Sequence, residues 1–227
     1  MKRMKMNWMI GIAWIGMVWL AGLPAAAQSN LCYNGSFTST KDPFEGWNLN
    51  YDWTGNSKQM GNHTHASFLA EYNGRRNVLK MVVPGGYEGR VETPLIACEP
   101  GARYKCTFDL YADVGEVRML FQGYTWRPGI APNEAPKLQE LRRIYKGDAV
   151  GTHGASWKPM TVIFPHEQIS ELAYNHLKKV RFMTVLIFVP GGTFGPGTFY
   201  ISNMKIVKLP DKYKVIKGSL KSSGTEE

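Results

Sequence analysis

Cysteine is scarce, with three residues in a chain of 227, and Cys32, Cys98 and Cys106 have no metal-knuckle spacing, so a disulfide-dense scaffold and a zinc module are both excluded. Long apolar runs are missing after the first thirty residues, which excludes a multi-pass membrane protein. Heptads and glycine triplets are also missing, and leucine, lysine and glutamate dominate no stretch, so a coiled coil, a collagen and a helical bundle are set aside. The signatures of common chemistries are lacking too: there is no Gly-x-Ser-x-Gly elbow, no His-Glu-x-x-His helix and no phosphate-cradling loop. The run Gly191-Gly192-Thr193-Phe194-Gly195-Pro196-Gly197 lacks a following helix and reads as a turn. His63 and His65 could face one way but have no third ligand at suitable spacing, so no metal site is expected. Negative charge is the smaller share, with 18 acidic against 27 basic residues.

Part of that basicity sits in a leader. Lys2, Arg3 and Lys5 precede an apolar run from Trp8 to Leu23, and Ala25-Ala26-Ala27-Gln28 supplies the small residues of a cleavage site. Residues 1–27 therefore read as a signal peptide, which implies an exported protein (periplasmic, cell-surface or secreted) with no stable membrane span after cleavage. Loss of the three leader cations lowers the formal charge of +9 by three. What remains is scattered apart from Lys205, Lys208, Lys212, Lys214, Lys217 and Lys221, a pattern of solvated lysines and not of a nucleic-acid stripe. No nucleic-acid partner is expected, whereas acidic polysaccharide or anionic lipid suits the charge.

What the chain does have is short β-branched and aromatic runs between Gly, Pro and Asn punctuation: 66–72, 78–83, 88–93, 104–111, 117–126, 160–164, 180–189 and 198–207. Eight strands predict an all-β, two-sheet sandwich. Tyr104, Cys106, Phe108 and Leu110 alternate with Lys105, Thr107, Asp109 and Tyr111, giving one buried and one wetter face. Two stretches break the pattern. Residues 128–154 read as a long inserted loop around a charged segment, and 166–179 place Ile169, Leu172, Ala173 and Leu177 at helical spacing, predicting one short amphipathic helix. The expected organisation is a sandwich over 28–210 and a flexible tail over 211–227. Cys98 and Cys106 flank a turn at Glu99-Pro100-Gly101-Ala102; their pairing stays open.

The order of several short motifs resembles the carbohydrate-binding modules grouped around families 4, 9, 16 and 22. Asn34-Gly35-Ser36-Phe37 and Gly46-Trp47 match the opening, Pro100-Gly101-Ala102-Arg103-Tyr104 the turn, Trp157-Lys158-Pro159-Met160-Thr161 the paired strand, and Gly197-Thr198-Phe199-Tyr200-Ile201-Ser202-Asn203-Met204 the last strand. The resemblance spans residues 31–209 and implies a galactose-binding-domain-like jelly roll. It also implies core positions for Trp47 and Trp157, and a concave sheet face that binds glycan. Such modules often hold structural calcium, but Thr38 and Ser202-Asn203 stand where the family has carboxylates, so no cofactor is expected and calcium is disfavoured.

A sugar cleft needs rings to stack on pyranoses and planar polar groups to bond hydroxyls. In 117–126, Arg118, Gln122, Tyr124 and Trp126 share one parity, while Val117, Met119 and Phe121 suit the core. Asp109 and Tyr111, on what reads as the neighbouring strand, extend that surface, and Tyr51 and Trp53 could wall it. The sequence thus predicts a non-catalytic module that binds poly- or oligosaccharide at a site of Trp126, Tyr124, Gln122, Arg118, Tyr111, Asp109, Trp53 and Tyr51, working beside a separate glycan-degrading enzyme or surface protein. The alternatives are an adhesion sandwich and, less favoured, a polysaccharide lyase in which Gln122 neutralises a uronate and Tyr124 or a histidine moves the proton. If the 128–154 insertion crosses the face, Tyr124 and Trp126 become core. A buried carboxylate at a groove floor would favour the lyase.

Overall fold

The computed structural model describes residues 29–49, 65–83, 89–147, 150–189 and 197–217, the side chains at 65, 114, 115 and 150–153 excepted. The leader expectation, Tyr51, Trp53 and His63 lie outside the described residues. The strands are β1 (His65–Tyr72), β2 (Arg75–Val83), β3 (Gly89–Glu92), β4 (Ile96–Ala97), β5 (Ala102–Trp126), β6 (Leu141–Lys146), β7 (Val150–Phe164), β8 (Gln168–Ser170), β9 (Phe182–Val189), β10 (Gly197–Lys212) and β11 (Lys214–Ile216). One helix, α1 (Glu171–Leu177), lies between β8 and β9.

The all-β sandwich predicted from the sequence is present. In one layer β1, β2, β10, the first half of β5 and the end of β7 pair antiparallel. In the other, β3 and β4 pair β9, which pairs the second half of β5, and that half pairs β6. The core between the layers draws Leu79 and Met81 from β2, Cys106 and Phe108 from β5, Val185 and Ile187 from β9, and Phe199 and Ile201 from β10.

The runs 104–111 and 117–126 are one continuous strand, not two neighbours. Ala112 and Val117 both face the core. An odd step between two inward residues reverses the alternation, and the pairing with β7 shifts register there. Irregularities of this kind let a strand bend from one layer into the other. Even-numbered residues therefore point inward in the first half and odd-numbered ones in the second.

The insertion contains structure. A 3-10 turn at Leu138–Glu140 leads into β6, whose residues pair Gln122–Trp126. Arg142, Arg143 and Lys146 hid this strand from the sequence reading, because an edge strand with one wet side tolerates cations. The helix is shorter than its predicted segment: Ser170 caps it by accepting from the Ala173 amide at 3.2 Å. Leu177 is buried but Leu172 is 71% exposed, and Ile169 is buried from β8, so the four-residue apolar stripe does not form. Within the segment read as a tail, β10 runs to Lys212 and β11 pairs parallel with β8. Backbone pairing holds β11, whose Val215 and Ile216 are exposed. Among the described residues no helix is long and apolar enough to cross a membrane.

The opening motif is a structural knot. The Asn34 side chain accepts from the amides of Thr38 (2.9 Å) and Ser39 (3.0 Å) and donates to the Pro43 carbonyl (2.8 Å). Trp47 donates to the Asn34 carbonyl and packs on Phe37 with ring centroids 4.8 Å apart. Gly35 admits the backbone of β10: a Cβ there would collide with the Met204 carbonyl, and Met204 N–H bonds to Gly35 O at 2.9 Å.

Candidate functional site

The outer face of the second layer is built by the alternation of β5 and β9. Leu120 lies opposite Leu186, Gln122 opposite Thr184 and Tyr124 opposite Phe182, while Val117, Met119 and Phe121 enter the core. Glu92, at the end of β3, lies opposite Leu186. Its carboxylate turns along the face to meet three donors at one oxygen, Oε1: Gln122 Nε2 at 3.2 Å, Tyr124 OH at 3.0 Å and the Thr184 hydroxyl. Arg143 of β6 donates to Gln122 Oε1 at 2.6 Å, which fixes the orientation of that amide. Glu92 is 1% exposed, Gln122 0% and Tyr124 2%.

Burial pushes the Glu92 carboxyl above its ordinary range, because removing its charge from water costs more than the nearby groups return. Bonds from Thr184, Tyr124 and Asn48 and the field of Arg143 act the other way. The upward direction follows from the near-complete burial and from the lack of a direct ion pair to Glu92 among the described residues.

Two loops wall the face. Trp47-Asn48 is clipped to β3 by reciprocal backbone bonds between Asn48 and Glu92 at 3.0 and 2.9 Å. Opposite it stands the insertion, whose Leu138 packs on Leu120 and Leu186. Between them opens a cleft of about 400 Å³ lined by residues including Trp47, Asn48, Glu92, Pro136, Gln139 and Thr184. That volume lies in the range of small-ligand sites, and apolar walls over a few convergent polar groups are their usual chemistry.

The structure distributes the sequence-predicted residues over two faces. Gln122 and Tyr124 come together on the Glu92 carboxylate, but neither lines the cleft: Tyr124 is buried and its hydroxyl is spent on Glu92, so it offers no open ring for stacking. Trp126 is half-buried, edge-on to Phe182 at 5.5 Å. Arg118 lies at the far end of the row, paired with Glu116 at 2.9 Å. Asp109 and Tyr111 belong to the first half of β5, so they point out of the opposite layer. There Asp109 pairs with Arg75 at 2.9 Å, and Tyr111 meets Tyr72, Tyr200 and Trp157 at centroid distances of 5.5, 5.4 and 5.8 Å. Trp157, read as core, is half-exposed in this outer cluster; Trp47 is buried as expected. Sequence reasoning missed Glu92, Thr184 and Arg143. Only the carboxylate inside a strand-like run marked Glu92.

The calcium that the sequence resemblance raises has no fitting donors here. Ser202 donates its hydroxyl to the Arg76 carbonyl and Asn203 turns its amide to Asp109, so neither presents an anionic oxygen toward Thr38. Among the described residues no three His, Cys, Asp or Glu side chains cluster.

No family model matches the sequence, and no curated protein matches it. Among solved structures, the enzymatically active domain of tailspike protein 4 of bacteriophage CBA120 is similar over 79% of this chain, at a TM-score of 0.51 and 13% identity. The chain spans only 21% of that domain's length. A CBM4 structure is similar over 78% of this chain and 99% of its own, at a TM-score of 0.44 and 13% identity. A cyclase from Fischerella sp. TAU is similar over 82% of this chain and 100% of its own, at a TM-score of 0.47 and 14% identity. The structural neighbours thus include carbohydrate-binding modules, and the likeness is one of fold.

Proposed function

We propose that this chain is an exported, non-catalytic carbohydrate-binding module whose ligand enters the cleft above Glu92. The observation that carries the reading is that the Glu92 carboxyl, the Thr184 hydroxyl and the Asn48 and Gln139 amides line one apolar-walled cleft. Carboxyl, amide and hydroxyl groups together donate and accept, which matches the mixed valence of sugar hydroxyls. Trp47, Pro136 and Leu138 supply the apolar walls. A walled cleft of this volume suits a short oligosaccharide or a chain end, and differs from the aromatic-lined concave sheet face expected from the sequence. The motif order spanning residues 31–209 supports the same reading. A polysaccharide is then the natural partner, with a separate glycan-degrading enzyme acting on it.

One observation favours a second reading. The Tyr124 hydroxyl lies 3.0 Å from a carboxyl held toward its neutral form, the arrangement a lyase of uronate-bearing glycan could use as an acid–base pair. Calorimetric titration of the exported form with neutral and uronate-bearing oligosaccharides, beside Glu92→Gln and Thr184→Val variants, separates the readings. Saturable binding weakened about tenfold by either substitution, with ligand recovered intact, is the expected result. Release of unsaturated sugar, absorbing in the ultraviolet and abolished in Glu92→Gln, would establish the lyase. A folded protein that binds no glycan would overturn both and leave an adhesion sandwich.

A further inference from the structure

The outer face of the opposite layer carries a second arrangement that the cleft does not use. Tyr200 of β10 lies opposite both Lys80 of β2 and Tyr111 of β5, and the Tyr72 ring stacks on Tyr200 with centroids 4.0 Å apart and planes 8° from parallel. Trp157 closes the group, 6.4 Å from Tyr72, with the Arg75 guanidinium 6.0 Å from its ring centre. Tyr72 and Arg75 reach this surface because β2 is kinked at Asn77, whose φ of 53° interrupts the extended backbone. Farther along β5 and β10 the same outward parity brings Lys205 opposite Thr107 and Val207 opposite Lys105. Tyr72, Tyr111, Trp157 and Lys105 are half-buried and Lys205 is exposed.

We propose that this face is a second binding surface, for an acidic polysaccharide laid along β5. Three features select that occupant. Tyr72, Tyr111 and Trp157 keep part of their rings exposed on the outer side of a sheet, so they suit the flat side of a pyranose chain. Arg75, Lys80, Lys105 and Lys205 outnumber Asp109 and Asp113, and Asp109 is already paired with Arg75. The span from Tyr111 to Lys105 is roughly 20 Å at strand rise, so an extended polymer can engage rings at one end and ammonium groups at the other. Among the described residues neither Lys105 nor Lys205 forms an ion pair within the fold, which leaves their charge for a carboxylate or sulfate on the polymer. The positive formal charge that remains when the three leader cations are taken from +9 adds long-range attraction for such a polymer.

The surface and the cleft lie on different layers, so the two proposals can fail separately. Binding of the exported protein to immobilised polygalacturonate and to a neutral galactan would be measured at low and high salt, beside Lys105→Gln/Lys205→Gln and Tyr111→Ala/Trp157→Ala variants. Circular dichroism and thermal melting establish that each variant is folded. Retention on polygalacturonate that exceeds retention on galactan, falls with salt and drops about tenfold in each double variant is expected, with Glu92→Gln binding as the wild type does. Equal retention of both polymers, or retention unmoved in a folded lysine variant, overturns the proposal. Retention lost in Glu92→Gln instead assigns the polymer to the cleft and also overturns it. If Tyr111→Ala/Trp157→Ala does not fold, Tyr111→Leu, which keeps apolar bulk and removes the ring, takes its place and must still weaken retention.

Discussion

Glu92 sets the character of the cleft floor, and its protonation leaves a measurable trace. A carboxyl whose folded pKa is raised stabilises the protein fully below the ordinary glutamate pKa, and this contribution is lost as pH rises through the folded value. Burial raises Glu92, so the wild-type melting temperature should fall relative to Glu92→Gln as pH climbs from about 4 toward neutrality. Melts of both proteins across that range check it, and parallel curves would mean that the carboxyl is not held neutral. At this scale the sequence was partly legible. Strand alternation put Gln122 and Tyr124 on one face and Phe121 in the core, because parity depends only on neighbours. The burial of Tyr124 was not legible, since it depends on Glu92 and Thr184, which approach it only across strand pairs.

Elements show a similar division. All eight of the runs read as strands overlap observed ones, whereas β6 stayed hidden because its basic residues occupy an edge. The insertion that carries β6 also decides the shape of the cleft, and a glycine positions it. A Cβ on Gly123 would lie 2.8 Å from Val180 Cγ2 and 3.1 Å from Tyr145 Cβ, squeezing β6 and the residue that leads into β9. Gly123→Ala should therefore destabilise the protein by about 1–3 kcal/mol and weaken cleft binding at the same time. Denaturant titration checks the first part and calorimetry the second; a neutral substitution would show that β6 can shift without cost. The shortened α1 has an equally local cause: Leu172 fits a helical stripe on paper, but capping at Ser170 and pairing of Ile169 in β8 leave too few turns to bury it.

The molecule as a whole encloses its thiols. Cys32 and Cys106 are buried and Cys98 is half-buried, all three as free cysteines, so the bridge left open between Cys98 and Cys106 is not formed. Burial pushes Cys32 and Cys98 to about 12 and raises Cys106 as well, which keeps the reactive thiolate scarce near neutrality. The folded protein should react slowly with a thiol-specific disulfide reagent at about pH 8 and release three equivalents once denatured. Fewer equivalents would reveal a bridge.

The crossing of β5 from one layer to the other also sets a phase. Between Ala112 and Val117 the strand changes which parity faces inward, and everything downstream keeps that setting. Deleting one residue in this short stretch would turn Phe121 to the outside and drive Gln122 and Tyr124 into the core. The same deletion would leave Asp109 and Tyr111 where they are. The number of residues in this short stretch thus determines that the chain presents a cleft on one side and aromatic rings on the other.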